Sequence, residues 1–173
     1  MGKIIIKKGD ITKEVVDVIV NAANTKLAGG GGVDGAIHRA AGDTLAEECK
    51  KIGGCKTGEA VITGAGKLLA KKIIHTPGPV WHGGTQGEEQ LLKNSYVNSF
   101  ALAAENGLKT IAFPSISTGV YGYPIALASR IAIETGIEFI GIFDEIHYVC
   151  FSQQDLHVYL KTYDEFGDGG HER

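Results

Sequence analysis

The chain has 173 residues, a formal net charge of −3 and an isoelectric point near 6.1. Its length fits one domain that can bury a core without disulfides or metal, and its 43% hydrophobic and 21% charged residues exclude a disordered chain. The acidic balance argues against a protein that mainly coats nucleic acid. Glycine is in excess, with 25 residues, roughly twice the usual share, so we expect particular loops to hold the surplus.

The chain lacks signals for a membrane or a metal. The apolar run Ile4-Ile5-Ile6 is too short for a signal peptide, and no stretch approaches a transmembrane helix. The three cysteines form no CxxC pair and the six histidines form no zinc motif. We therefore expect a soluble cytoplasmic protein with reduced cysteines, no cofactor, no metal and no membrane partner.

Segments of strand character alternate with segments of helical period along the chain. Strands are predicted at 3–8, 17–22, 59–63, 72–76, 110–114 and 146–151, and helices at 35–41, 44–52, 88–105, from Pro124 onwards and 154–163. The helix from Pro124 is predicted to bury Leu127, Ala128, Ile131, Ala132 and Thr135. This alternation predicts an α/β domain over residues 1–165, with a largely parallel sheet covered on both faces, and a disordered tail over 166–173.

A run of four glycines follows the second predicted strand. Gly29 to Gly32 lead into the helix predicted from Gly35, so bare backbone N–H groups would face a ligand at the positive end of that helix. Residues 30, 32 and 35 also fit G-x-G-x-x-G, but they stand too far from the strand for a dinucleotide-binding Rossmann turn. Phosphate binding is the favoured interpretation, and a plain surface loop is the alternative.

A second loop of small residues, Ser115 to Tyr123, follows the strand predicted at 110–114. It also runs into a predicted helix and repeats the features of the first loop. Because ligands bind beyond the carboxyl ends of such strands, the two loops could hold a diphosphate between them. An ordinary strand-to-helix turn is the alternative.

Five motifs stand in order along residues 3–163: Gly9-Asp10-Ile11-Thr12, Asn21-Ala22-Ala23-Asn24, GGGGVDGAIHRAAG over 29–42, His75-Thr76-Pro77-Gly78-Pro79-Val80-Trp81 and Ser117-Thr118-Gly119-Val120-Tyr121-Gly122-Tyr123-Pro124. Together they resemble a macro domain of the MacroD type, a branch that includes bacterial deacetylases of O-acetyl-ADP-ribose. The resemblance implies a three-layer α/β/α fold with a mixed, largely parallel sheet. It also implies a cleft for ADP-ribose and O-acetyl-ADP-ribose.

The resemblance further implies a role for individual residues. Asp10 would accept from the adenine amino group beside Ile11, and Phe151 would pack against the adenosine. Asn24 would hold the distal ribose, and Ala23 would be a further ligand-binding residue. The residues that would wrap the diphosphate are Gly31, Gly32, Val33, Ser117, Thr118, Gly119, Val120 and Tyr121.

Asp34 separates a hydrolase from a reader, since it matches the acid that MacroD-type enzymes use to hydrolyse the ester. Asn24, Asp34 and Tyr121 are the predicted catalytic residues: Asn24 would position the ribose and Tyr121 would close over the site. A helix amino terminus favours an ionised carboxylate, which is a weak base. Asp34 is therefore expected to orient and polarise a water, with the diphosphate sharing that work. A structural role for Asp34 as a helix cap and partner of the helix dipole is the alternative.

Three functions are compatible with these residues. The first is a metal-independent hydrolase that deacetylates O-acetyl-ADP-ribose and removes mono-ADP-ribose from Asp or Glu of modified proteins. The second is a non-catalytic ADP-ribose reader, and the third is an RNA-linked binder, for which the composition gives no support.

Related deacetylases often have Tyr-Asp where this chain has Phe151-Ser152, and this difference is expected to alter the affinity for the ligand. His75, Trp81 and Tyr123 are expected to be structural.

Overall fold

A six-stranded sheet forms the centre of the protein, for which a computed structural model describes residues 2–167. Its strands lie in the spatial order β1-β6-β5-β2-β4-β3, and all neighbours are parallel except β3, which is antiparallel to β4. The predicted mixed, largely parallel sheet is confirmed. The strand bounds are β1 Lys3–Lys8, β2 Val18–Ala22, β3 Val61–Gly64, β4 Lys72–Thr76, β5 Thr110–Phe113 and β6 Glu145–Cys150.

Five α-helices within residues 2–167 cover the sheet: α1 Gly32–Ala41, α2 Asp43–Ile52, α3 Glu88–Glu105, α4 Ile125–Phe139 and α5 Gln153–Gly167. Two 3-10 turns, Ile11–Lys13 and Ile140–Ile142, follow β1 and α4. The bounds of α3 match the prediction, because its apolar residues recur at helical spacing. Gly107 in the left-handed region (φ +70°) follows its end.

The helices divide between the two faces of the sheet, which confirms the predicted three layers. Helices α1 and α2 bury Ile37 and Leu45 against strand residues such as Ile73. Helices α3, α4 and α5 cover the other face, where the core includes Phe100, Ala132, Tyr159 and strand aromatics. All three cysteines are buried and free, as expected.

Three predictions about the helices need correction. Helix α1 begins at Gly32 rather than Gly35, because the Gly35 N–H donates to Gly31 O (3.2 Å) and the glycine run supplies the first turn. Leu127 is half exposed, since α4 turns its neighbour Ala128 towards the sheet instead. Helix α5 continues through Gly167, so residues 166–167 of the predicted tail are helical, and 168–173 lie outside the described residues.

The strand order brings the two glycine-containing loops together. β2 and β5 are neighbours in the sheet, and their parallel pairing puts both carboxyl ends on the same edge. β6 lies on the other side of β5 and ends on that edge as well. Within residues 2–167, no helix combines the length and apolar character that spanning a membrane requires.

Candidate functional site

A cleft of about 930 Å³ lies at the carboxyl ends of β1, β6, β5 and β2. Its volume falls in the range of small-molecule sites, which is roughly 300–1,000 Å³. The structure brings every predicted site residue to the wall of this cleft: Asp10, Ile11, Ala23, Asn24, Gly31, Gly32, Val33, Asp34, Ser117, Thr118, Gly119, Val120, Tyr121 and Phe151. Their individual roles stay predictions.

Asn24 builds the first loop through its side-chain amide. Its Oδ1 accepts from the Ala28 N–H (3.1 Å) and its Nδ2 donates to Gly29 O (2.8 Å). Leu27 and Gly29 both adopt the left-handed region, with φ of +55° and +78°. One Nδ2 hydrogen of Asn24 is left for a ligand, so the same amide can shape the loop and contact a ribose.

Asp34 is buried on the first turn of α1, yet it does not cap the helix. The N-cap is Gly31, with no side-chain cap bond, so the capping part of the alternative is wrong, while the position of Asp34 in the first turn agrees with the dipole part. Instead, Asp34 Oδ1 accepts from Asn21 Nδ2 (2.8 Å) and lies 3.4 Å from His38 Nε2. Asp34 Oδ2 lies on the side of Gly30, where an added Cβ would stand 3.4 Å from it.

Gly30 is close to both Asp34 and Asn24, two of the predicted catalytic residues. A Cβ at this glycine would also stand 3.8 Å from Asn24 Nδ2. Gly35 fixes that approach, because a Cβ there would overlap Gly30 O. The bare backbone at these two positions lets the loop run close to α1, with the carboxylate and the amide facing one part of the cleft.

The second loop is held by backbone bonds and is strained at Ser117. Ser117 has φ +68° and accepts from the Tyr123 N–H through its carbonyl (2.9 Å), while Tyr121 O accepts from the Trp81 N–H (2.9 Å). The Ser117 Oγ is buried with no hydrogen-bond partner among residues 2–167. Such a strained residue with an unpaired hydroxyl at a cleft is typical of a ligand-binding loop.

Exposed apolar side chains flank the cleft at Val120 and Phe151. Phe151 follows β6 and is 85% exposed, and Val120 is fully exposed at the tip of the second loop. Exposing a phenyl ring to water is unfavourable, and the contact of this ring with a ligand stays a prediction.

The far end of the cleft carries Asp10. Its Oδ1 accepts from the Thr12 hydroxyl (2.6 Å) and the Thr12 N–H (3.0 Å), and these bonds lower the pKa of Asp10. Both bonds go to Oδ1, which leaves Oδ2 able to accept from an exocyclic amine.

At the Phe151-Ser152 departure, the serine has a structural contact. Ser152 Oγ accepts from the Asp155 N–H (3.1 Å), so the serine caps the first turn of α5. Asp155 itself lines the cleft, so an acid is present at this end three residues beyond Ser152.

The cleft wall also includes Gly30 and Ser115, which belong to the two predicted loops but were assigned no individual role, and Ala36, Gly78 and Asp155, which the sequence analysis missed. Gly78 has a clear steric role, since a Cβ there would overlap the Ser117 hydroxyl. The Gly78-Pro79 pair after a strand was the available signal. Arg39 is exposed at the cleft wall as well.

The residues expected to be structural do not line the cleft. His75 is buried and hydrogen-bonded at both ring nitrogens, and Trp81 packs on Tyr123 with ring centroids 4.7 Å apart. No group of three or more His, Cys, Asp or Glu among residues 2–167 is arranged to hold a metal ion, and the metal independence of the reaction stays a prediction.

The fold and the cleft define an α/β/α ligand-binding domain, with its site at the carboxyl edge of the parallel strands, where such sheets bind ligands. More narrowly, the chain belongs to the macro domain family, whose family model matches residues 20–132. The resemblance drawn from the sequence motifs is confirmed.

Relatives and solved structures agree with this assignment. The chain is 53% identical over 173 residues to the O-acetyl-ADP-ribose deacetylase of Escherichia coli strain K12, covering 96% of this chain and 98% of that protein. A structure of the Oceanobacillus iheyensis macrodomain with ADP superposes with a TM-score of 0.90 at 44% identity, covering 94% of this chain and 90% of that one. The Trypanosoma brucei macrodomain in complex with ADP-ribose gives a TM-score of 0.87 at 41% identity, covering 92% and 68%.

Proposed function

We propose that this protein is a hydrolase of ADP-ribose esters that converts O-acetyl-ADP-ribose to ADP-ribose and acetate. The observation that carries the proposal is the buried Asp34, which is held through Oδ1 and has Oδ2 on the side of Gly30 at the cleft wall. A module that only reads ADP-ribose has no need of a buried carboxylate oriented beside the distal ribose. The near full-length identity to proteins named O-acetyl-ADP-ribose deacetylase supports the same activity.

The cleft residues divide the ligand among them. Asp10 Oδ2 accepts from the adenine amino group, and Phe151 covers the adenosine. The amides of Gly31 to Val33 and of Ser117 to Tyr121 receive the diphosphate, since both loops lead to helix amino termini. Asn24 donates its remaining N–H to the distal ribose, which places the ester beside Asp34.

Hydrolysis then needs one positioned water. Asp34 Oδ2 accepts a hydrogen bond from this water and aims its oxygen at the ester carbonyl carbon. A bond forms between the water oxygen and that carbon, and the bond between the carbon and the ribose oxygen breaks. One water proton ends on the ribose hydroxyl and the other leaves with the acetate group. The diphosphate shares in the proton transfer, and Tyr121 closes over the bound ester.

The same chemistry extends to protein substrates. An ester between ADP-ribose and a glutamate or aspartate side chain presents the same carbonyl to the water, with the protein chain in place of the acetyl methyl group. The cleft is open to solvent along the exposed Gly30, Gly31 and Gly32, which supports access by such a chain. We therefore propose mono-ADP-ribosylated proteins as a second substrate class.

The test compares wild type with Asp34→Ala and Asp34→Asn. Acetate release from O-acetyl-ADP-ribose is followed alongside ADP-ribose binding by calorimetry. We expect both variants to bind ADP-ribose within about threefold of wild type and to lose about 100-fold or more in kcat, which is the usual contribution of a positioned acid or base.

Glu134→Ala, at an exposed acid on α4 outside the cleft, is the matched control and should behave as wild type. Full turnover by Asp34→Ala would remove Asp34 from the mechanism. Binding without turnover in the wild type would identify a reader instead.

A further inference from the structure

A strip of polar side chains crosses the sheet face beneath α1 and α2. Thr63 of β3, His75 of β4 and Asn21 of β2 stand on three adjacent strands, with Asn21 and His75 directly in register. All three are buried in a layer that is otherwise apolar. The strip ends at Asp34, which Asn21 contacts.

The hydrogen bonds in this strip have only one consistent direction. The Thr63 hydroxyl donates to Gly64 O (2.9 Å), so Thr63 Oγ1 must accept from His75 Nε2 at 2.9 Å. His75 then carries its proton on Nε2, and Nδ1 is a free acceptor for the Asn21 amide at 3.1 Å. The two Asn21 N–H groups are thus divided between His75 Nδ1 and Asp34 Oδ1.

The amide of Asn21 is held in an orientation that sacrifices one of its own hydrogen bonds. Asn21 Oδ1 is buried and has no partner among residues 2–167. Turning the amide over would put this oxygen against two acceptors, the Asp34 carboxylate and His75 Nδ1. Leaving a buried oxygen unpaired lowers stability, so the arrangement serves the two N–H bonds rather than the fold.

We propose that His75 is a positioning residue for the hydrolytic reaction. Through Nδ1, it fixes the Asn21 amide, and the amide holds Asp34 Oδ1 so that Oδ2 faces the cleft. The proposal rests on the function proposed for Asp34 above, and it adds a group that contacts neither the cleft nor the ligand.

The surroundings of His75 suit this task. Burial, and to a lesser degree the nearby His38, lower its pKa to about 4, so the ring stays neutral at physiological pH and Nδ1 stays an acceptor. The groups that face it are His38 on α1, with ring centroids 6.5 Å apart, Thr63 on β3 and Asn21 on β2, with Asp34 beyond.

Two conservative variants of His75 separate the two ring nitrogens. In His75→Asn, the amide oxygen can occupy the place of Nδ1 and still accept from Asn21. In His75→Gln, the amide reaches the place of Nε2 and keeps only the contact with Thr63. His75→Leu removes both. We expect kcat for O-acetyl-ADP-ribose to fall about 10- to 100-fold in His75→Leu and His75→Gln, the scale of a misplaced catalytic group, and to stay within about threefold of wild type in His75→Asn.

Further measurements distinguish a positioning role of His75 from a purely structural one. KM and the Kd for ADP-ribose should stay within about threefold in all folded variants, because no ligand contact is changed. Where a His75 variant does not fold, Thr63→Val and Thr63→Ser replace it: valine removes the acceptor for Nε2–H and should lower kcat, and serine should restore it. In wild type, the ¹⁵N spectrum of labelled histidine should show His75 as the Nε2–H tautomer.

Equal kcat in the Asn, Gln and Leu variants, or an Nδ1–H tautomer in wild type, would overturn the proposal. Either result would leave the proposed function intact if Asp34→Asn still abolished turnover. Loss of the proposed function would instead appear as a wild type that binds ADP-ribose but releases no acetate.

Discussion

The two faces of the sheet have different cores. The face beneath α3, α4 and α5 is filled with aromatic rings in mutual contact. The ring centroids of Phe100 and Phe113 are 4.8 Å apart, and those of Phe113 and Tyr148 are 5.8 Å apart. The face beneath α1 and α2 is built from smaller aliphatic residues and contains the buried polar strip that leads to Asp34. Apolar burial stabilises a fold, and buried polar groups cost stability unless they are paired. Both faces bury apolar residues, and the comparison indicates that the face beneath α1 and α2 also carries the polar groups that support the site.

The largest effect should follow a cavity in the aromatic face. Phe100→Ala removes a fully buried ring that contacts Phe113, Phe139 and Phe143. We expect the free energy of unfolding to fall by about 3–5 kcal/mol, measured by urea denaturation, with kcat per folded molecule unchanged.

Leu127→Ala is the control on the same side, since Leu127 is half exposed, and we expect it to change stability by less than about 0.5 kcal/mol. A fall in kcat per folded Phe100→Ala molecule comparable to that of Asp34→Ala would break the proposed division between the faces.

The second prediction is that mild acid lowers the stability of the folded chain through His75 of the polar strip. The pKa of His75 is about 4 in the folded chain, because the ring is buried, and its ordinary value is 6.5. As pH falls below 6.5, the unfolded chain takes up this proton and the folded chain does not, so stability decreases down to about pH 4. Between pH 6.5 and about pH 5, we expect a loss on the order of 1–2 kcal/mol from this group.

Urea denaturation of wild type and His75→Asn across that range measures this contribution, because asparagine does not titrate. Asp10, Asp17 and Glu88, the hydrogen-bonded carboxylates with lowered pKa, have ordinary values of 4.5 or below and act at lower pH. Parallel pH profiles for the two proteins would show that the buried histidine does not contribute to acid sensitivity.

The smallest effect should follow removal of the Phe151 ring, which is exposed rather than buried on either face of the sheet. Phe151→Ala should weaken ADP-ribose binding by about tenfold, or about 1.4 kcal/mol, with kcat and stability little changed, because the ring is exposed and lies at the cleft. Leu160→Ala, an exposed apolar residue outside the cleft, is the control in the same calorimetric titration. Unchanged affinity in Phe151→Ala would assign this ring to neither binding nor folding.

Local signals in the sequence predicted the elements whose pattern is complete within a few residues. Helix α3 matched at both ends because its apolar period and its Asn106-Gly107 stop are both local. Helix α4 shows the limit of a local pattern. The spacing of its apolar residues did not distinguish Leu127, which is half exposed, from Ala128, which faces the sheet. The sequence predicts the start of α1 three residues too late, because a glycine run gives no helical signal of its own.

For the site, the motifs contain every predicted wall residue of the cleft except Phe151, and the residues that support the wall from behind were missed. Asn21 was part of a recognised motif but had no role assigned, and His75 was expected only to be structural. Their connection depends on the register of β2 against β4, which joins residues 54 positions apart. No spacing along the chain encodes that register.

The sequence by itself determined the class of fold, the two glycine-containing loops and the acid that follows the first of them, because these depend on residue type and short-range order. Only the tertiary structure decided which strands are neighbours and which oxygen of Asp34 is held while the other is directed to the cleft. It also decided which imidazole nitrogen of His75 accepts a hydrogen bond from Asn21. The physical reason is that hydrogen-bond direction is fixed by all the partners around a buried group at once, and these partners come from four separate elements, β3, β4, β2 and α1.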